Sequence, residues 1–123
     1  MTQAELESIA EGWIRYQLAA DGSAEQAANW DFVSTAFDIR AGDPKLLWQL
    51  ILAIHSRDQS DDVQCVLSAG PLEDLLTYHG PEFIEAVEQR ANEDPAFARL
   101  LSGVYRRLMS DDVWSRVTAI SNR

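Results

Sequence analysis

The chain has 123 residues, 46% of them hydrophobic, and a formal net charge of −10. These values predict a single globular domain, residues 1–123, whose only cysteine, Cys65, forms no intrachain disulfide and is expected to be buried. The acidic balance disfavours nucleic-acid binding, which needs clustered Lys and Arg. The longest apolar run, residues 46–54, is too short to span a bilayer. We therefore expect a cytoplasmic protein with no nucleic-acid or membrane partner.

Helical signals begin at the N-terminus of the chain. Thr2 with Glu5 fits a capping box that opens a first helix, and Ser23 with Gln26 marks a second start in the same way. The apolar face expected for the following helix consists of Trp30, Val33 and Phe37.

The segment PKLLWQLILAIH, residues 44–55, is apolar nearly all round, which is typical of a central helix covered by its neighbours. Asp43 before Pro44 marks its start, because a capping Asp is followed by proline at the first helical position. His55 lies near its end, where the helix dipole favours a cationic side chain. Ser60, followed by two acids, predicts the next start.

Two Gly-Pro pairs, Gly70-Pro71 and Gly80-Pro81, are interpreted as two further helix starts. In the helix after the second pair, one apolar stripe is expected to be buried, namely Phe83, Ile84, Val87 and Ala91. The opposite, solvent-facing side then carries Glu82, Glu85, Gln89 and Asn92, with Glu88 at its margin.

The C-terminal part repeats the same signals, with Asp94 before Pro95 and Ser110 before two acids. A late helix is predicted from the stripe Phe97, Leu100, Leu101, Val104 and Leu108, and a last helix from Val113, Val117 and Ile120. No segment shows the alternation of a strand. With short connections, the pattern predicts an all-α fold, a compact array of about seven or eight antiparallel helices around the central apolar helix.

Negative charge is concentrated in the middle of the chain. Between Asp58 and Asp94 there are ten acids and one base, Arg90, whereas the segment after Asp94 is net positive. This distribution favours a protein partner that is basic, although an acidic surface that serves only solubility would look the same. Arginines near the C-terminus could also pair with the acids of a second copy, which makes a homodimer possible.

Motifs for catalysis and metal binding are absent from the sequence, so we expect no catalytic residue, metal or cofactor. Only His55 and His79 could act as imidazole bases. Glu73 and Asp74 precede His79 by six and five residues and could approach it. They could serve there as an acid–base site or as a polar network that fixes helix packing.

Acids and aromatics near the second Gly-Pro pair form the best candidate for a contact surface. Tyr78 is the most plausible aromatic anchor, since tyrosine is favoured at interfaces. The predicted partner-binding residues are Glu73, Asp74, Tyr78, His79, Glu82, Glu85 and Gln89.

The stretch AGPLEDLLTYHGPEFIEAVEQRANEDPAFARLLSGV, followed by DDVWSRV, resembles a family of small bacterial domains of unknown function. The resemblance covers about Trp48 to Val117 and rests on a GPLEDLL segment, His-Gly, an acidic helix, Asp-Pro-x-Phe and Val-Trp-x-Arg-Val. It implies no activity. The pattern contains Glu73, Asp74, His79, Trp114 and Arg116.

These features favour a non-enzymatic acidic binding domain of the immunity or antitoxin kind, which would neutralise a bacterial toxin or effector. The alternative is a helical scaffold or adaptor that holds a peptide or protein between helical hairpins. A small hydrolase-like enzyme using His79 is the least favoured reading.

Overall fold

The computed structural model describes residues 1–122, and all regular structure in that part of the chain is helical. Eight α-helices and one π-helical turn follow one another there without a strand, which confirms the all-α prediction. The chain divides into two compact units, Met1–Val66 and Leu67–Arg123. The prediction of one domain over the whole chain stays a prediction.

The first unit contains four complete helices and most of a fifth. They are α1 (Gln3–Leu18), α2 (Ala24–Ala28), α3 (Trp30–Gly42), α4 (Pro44–Arg57) and α5 (Asp61–Leu67). Helix α1 packs against α3 and α4, and α3 packs against α4. Three predicted caps are present in this unit. Thr2 and Glu5 form the capping box, and the side chains of Ser23 and Asp43 accept first-turn N–H groups.

Helix α4 supplies much of the buried apolar surface of this unit, through Leu47, Leu50, Ile51 and Ile54. The apolar face predicted for α3 is partly wrong. Val33 is buried, but Trp30 and Phe37 are exposed, and the buried side of α3 continues through Ala36 and Ile39 instead. A spacing of three residues between these positions keeps them on one side of the helix.

Helix α5 corrects the expectation for the cysteine. Val63 and Leu67, four residues apart, form its buried side, whereas Cys65 lies between them on the exposed side. The thiol is therefore exposed.

The second unit contains a π-helical turn (Ser68–Leu72), α6 (Glu73–Glu93), α7 (Pro95–Leu101) and α8 (Asp111–Ser121). Helix α6 packs against α7 and α8, which also pack against each other. The side chains of Asp94 and Ser110 cap α7 and α8 as predicted.

The first Gly-Pro pair lies inside helical backbone, so its interpretation as a helix start is wrong. The second pair directly follows a break between two helical segments at His79, which agrees with its interpretation as a helix start. Gly70-Pro71 belongs to the π-helical turn, and Gly80-Pro81 lies within α6. Proline has no N–H to donate, and the backbone responds by widening into the π turn and by kinking at His79, where φ is −134° and ψ is 24°. Gly80 suits this place because an added Cβ would lie 3.0 Å from methyl groups of Val113.

The late helix is shorter than its apolar stripe predicted, since α7 ends at Leu101. Residues 102–110 then form an irregular segment, which we call the 102–110 loop. Val104 is buried within this loop, but Leu108 is 77% exposed, so its place in a buried stripe was wrong. Arg107 in the loop adopts a left-handed backbone conformation, with φ of 46°.

Candidate functional site

Helix α6 carries two sets of polar side chains in contrasting environments. The inner acid pair consists of Glu73 and Asp74, at the start of the helix. The outer acidic face consists of Glu82, Glu85 and Gln89, beyond the kink.

The inner acid pair is buried, with each residue only 6% exposed. Arg107 Nη1 donates to Asp74 Oδ1 at 2.6 Å and to Glu73 Oε2 at 3.4 Å. The backbone N–H of Tyr105 donates to Glu73 Oε1 at 2.8 Å. Buried carboxylates are tolerated when a cation and hydrogen-bond donors satisfy them, and the 102–110 loop supplies both.

Arg107 is held by several groups at once. The hydrogen bond from Arg107 to Asp74 raises the pKa of the guanidinium, and the nearby negative charges act in the same direction, so the side chain stays charged. Arg107 Nη2 also lies 3.4 Å from the Tyr78 hydroxyl, and the guanidinium lies 5.7 Å from the centre of the Tyr78 ring. These contacts offset the cost, on the order of 1 kcal/mol, of a left-handed backbone at a bulky residue.

His79 lies at the kink of α6 and is half-buried. The sequence left open whether Glu73 and Asp74 would approach this ring as an acid–base site or serve as a polar network. The hydrogen bonds described above direct both carboxylates to the 102–110 loop. That geometry agrees with the polar-network alternative.

His55 is fully buried in the first unit. Its Nδ1 lies 2.8 Å from Gln64 Oε1, and Gln64 Nε2 in turn donates to the backbone carbonyl of Asp58 at 2.8 Å. The contacts link the end of α4 to α5, which is a structural arrangement for a buried imidazole.

The outer acidic face points away from the buried stripe of α6, as predicted. Phe83, Ile84 and Val87 are buried, whereas Glu82, Glu85 and Gln89 are exposed. Within residues 1–122, neither Glu82 nor Glu85 forms a side-chain hydrogen bond or an ion pair. A spacing of three residues places the two like charges beside each other on the helix surface, which is slightly unfavourable.

Other acids in and beside α6 do have basic partners. Arg116 of α8 forms an ion pair with Glu88, and this hydrogen bond is the main cause of the raised pKa of the Arg116 guanidinium. Arg90 Nη2 lies 3.4 Å from Asp94 Oδ2. Glu82 and Glu85 of the outer acidic face therefore differ from these neighbouring acids, because within residues 1–122 they have no ion-pair partner.

The predicted homodimer relied on arginines near the C-terminus. Arg107 is paired with the inner acid pair, Arg116 with Glu88, and Arg106 with Asp111. A homodimer through these side chains would have to compete with contacts inside the chain, and it stays a prediction.

Two exposed apolar side chains of the 102–110 loop were missed as candidates. Tyr105 is 74% exposed and Leu108 is 77% exposed. Ser102 and Gly103, directly after Leu101, are a helix-end signal that could have revealed them. Gly103 is also required by packing, since an added Cβ would lie 2.5 Å from Ser68 Oγ.

No group of three or more His, Cys, Asp or Glu side chains among residues 1–122 is arranged to hold a metal ion. No helix in that part of the chain combines the length and apolar character needed to cross a membrane.

Residues 18–123 match the model of DUF6869, a family of unknown function, and the chain belongs to this family. The resemblance to a family of unknown function is thereby confirmed, over a longer part of the chain than the quoted motifs covered. Comparisons with curated proteins and with solved structures found no match.

Proposed function

We propose that this member of DUF6869 is a non-enzymatic binding domain of the immunity or antitoxin kind, active in the cytoplasm, which binds a basic surface of a bacterial toxin or effector. The outer acidic face is the proposed contact surface. The observation that carries the proposal is that Glu82 and Glu85 are exposed, adjacent and, within residues 1–122, without an ion-pair partner.

The local contrast on α6 supports this proposal. The buried Glu73 and Asp74 form ion pairs with Arg107, and the half-buried Glu88 forms an ion pair with Arg116. Glu82 and Glu85 are left as a charge that an external cation would neutralise. Opposite charges across an interface accelerate and orient association, which suits an inhibitor that must capture a toxin quickly.

The proposed surface is smaller than the set predicted from sequence. Glu73 and Asp74 are buried and already bound by Arg107, so they act on binding only by holding the 102–110 loop. Tyr78, Glu82, Glu85 and Gln89 are exposed and remain in the proposal, together with the half-buried His79.

A capture experiment tests the proposed function. The purified full chain is immobilised and exposed to lysate of the source organism at low and at high ionic strength. We expect retention of a basic protein that salt releases, and we expect co-expression of the chain to protect cells from the toxicity of that protein. Retention of no basic protein at low salt, or co-expression without protection, would contradict the proposal.

An adaptor that holds a peptide is the second candidate, and exposed aromatic side chains favour it. Tyr78 and Tyr105 are exposed in the second unit, and Trp30 lies beside Tyr16 in the first, with ring centroids 5.7 Å apart. Adaptor binding would bury an aromatic side chain and would depend little on salt. A fluorescence change on partner binding that high salt does not abolish would favour the adaptor.

A further inference from the structure

Two aromatic side chains of the first unit line an open hollow that has no part in the proposed function. Tyr16 of α1 and Trp30 of α3 lie with ring centroids 5.7 Å apart and ring planes inclined by 51°. Both rings line a hollow of about 360 Å³, together with the loop that precedes α2 and with α2 itself. This volume is at the lower end of the range of small-ligand sites, so the hollow suits one small group.

The polar wall of the hollow is fixed by hydrogen bonds of Gln26. The backbone N–H of Gly22 donates to Gln26 Oε1 at 2.9 Å, and the backbone N–H of Gln26 donates to the Ser23 hydroxyl at 3.1 Å. The two side-chain oxygens of this wall thus already accept backbone N–H groups. A primary ammonium with three N–H donors would lose hydrogen bonds to water here, whereas a quaternary ammonium has none to lose.

The charge around the hollow is negative. Gln26 Nε2 donates to Asp21 Oδ1 at 3.4 Å, which places a carboxylate beside the polar wall. The nearest base along the chain, Arg15, forms an ion pair with Glu11. From residue 16 to residue 39 the chain carries four acids and no Lys or Arg, the acids being Asp21, Glu25, Asp31 and Asp38. An organic cation is therefore attracted to the hollow.

The two rings can hold one cation between them. A positive charge is attracted to an aromatic face when it lies within about 6 Å of the ring centroid. Because the centroids of Tyr16 and Trp30 are 5.7 Å apart, one cation can lie within that distance of both. Phe37, another exposed aromatic of α3, is already covered by Arg40, at 5.0 Å from the ring centroid. Within residues 1–122, no Lys or Arg lies over Tyr16 or Trp30 in this way.

We infer that the hollow between Tyr16 and Trp30 binds a quaternary ammonium group, carried either by a small molecule or by a trimethylated lysine side chain. The aromatic faces attract the charge and contact the methyl groups, and Asp21 adds a longer-range attraction. The inference concerns the first unit and does not depend on the proposed function, whose contact surface lies on the second.

A matched pair of small molecules tests the inference on the full chain. Choline is compared with dimethylbutanol, its neutral analogue, in which a carbon atom replaces the quaternary nitrogen. Binding is followed by NMR at low ionic strength through the backbone N–H signal of Gly22, which lines the hollow. We expect choline to shift this signal and to bind about fivefold more tightly than the neutral analogue. Equal binding of the two compounds, or no shift with choline, would overturn the inference.

Variants locate the binding in the hollow. Trp30→Leu should weaken choline binding about fivefold, whereas Phe37→Leu should leave it unchanged, although both side chains are 47% exposed. Circular dichroism checks that both variants fold. Asp21→Asn, which leaves the rings in place, should weaken choline about twofold and leave the neutral analogue unaffected. Equal effects of Trp30→Leu and Phe37→Leu, or equal effects of Asp21→Asn on the two compounds, would overturn the inference.

A peptide distinguishes the two sources of the ammonium group. A short neutral peptide with one trimethyllysine is titrated in the same way, beside the same peptide with unmodified lysine. Tighter binding of the trimethyllysine peptide than of choline would support a protein side chain as the source, and weaker binding would support a small molecule. Tighter binding of the unmodified peptide than of the trimethylated one would overturn the assignment to a quaternary ammonium.

Discussion

The two acid sets of α6 have the same chemistry and opposite surroundings. Glu73 and Asp74 are buried and held by Arg107, whereas Glu82 and Glu85, two to three turns later, face solvent without an ion pair inside the described chain. A buried carboxylate without a partner would destabilise the fold, so the inner acid pair requires its arginine. An exposed carboxylate carries no such requirement, which leaves the outer acidic face available for recognition.

Removal of Arg107 should have the largest effect on the free energy of unfolding, because the inner acid pair depends on this arginine and the outer acidic face does not. Arg107→Ala leaves two buried carboxylates without their cation, and we expect a loss of about 2 kcal/mol in the free energy of unfolding. The expected loss is smaller than for a fully buried ion pair, because the Arg107 side chain is about one-third exposed and water can partly replace the removed guanidinium. Urea denaturation measures the change.

Arg106→Ala is the matched control, since this neighbouring arginine pairs with the exposed Asp111. It should change the free energy of unfolding by less than about 0.5 kcal/mol. If both variants lost the same free energy of unfolding, the buried acid pair would not depend on its arginine more than the exposed Asp111 does.

Glu5 is an exposed acid that, unlike Glu82 and Glu85, has a structural role. Hydrogen bonds from the Thr2 backbone and then from the Thr2 hydroxyl lower the pKa of the Glu5 carboxyl. Stabilisation from a lowered pKa is present above the ordinary pKa of Glu and is lost as the pH falls through the lowered value. Glu5→Gln should therefore lower the melting temperature at neutral pH and have less effect in acid. An effect that grows on acidification would contradict this role.

The outer acidic face should show the smallest effect on stability. Glu82→Gln/Glu85→Gln removes a like-charge repulsion and no intrachain contact, so the free energy of unfolding should rise by at most about 0.5 kcal/mol. The same urea denaturation measures it. A loss above about 1 kcal/mol would show that these acids stabilise the fold and would weaken their assignment to recognition.

Local signals predicted the helix caps well. The cap at Thr2 and Glu5 and the cap at Asp94 depend on residues within one turn, so the sequence alone contains the whole interaction. The interpretation of Gly70-Pro71 as a helix start failed because a proline can also lie inside helical backbone, here in a π-helical turn, whereas Gly80-Pro81 does follow a helix break. Gly80 lies against Val113, a contact across 33 residues that no local pattern reveals.

Parts of the candidate site were predictable to different degrees. The exposed side of α6 followed from helical periodicity, so Glu82 and Glu85 were placed correctly on solvent. The partner of Asp74 was not predictable, because Arg107 lies 33 residues away and reaches it from an irregular loop. Leu108 was misplaced because its apolar spacing continues past Gly103, where the helix has already ended.

The central claim is that the outer acidic face, rather than net charge, binds the basic partner. Capture of that partner by Glu82→Lys/Glu85→Lys, compared with Glu7→Lys/Asp38→Lys, tests it most directly. Both variants change the net charge equally, and all four residues are exposed. We predict loss of the partner only for the reversal at Glu82 and Glu85, whereas equal retention by the two variants, or equal loss, would contradict the claim.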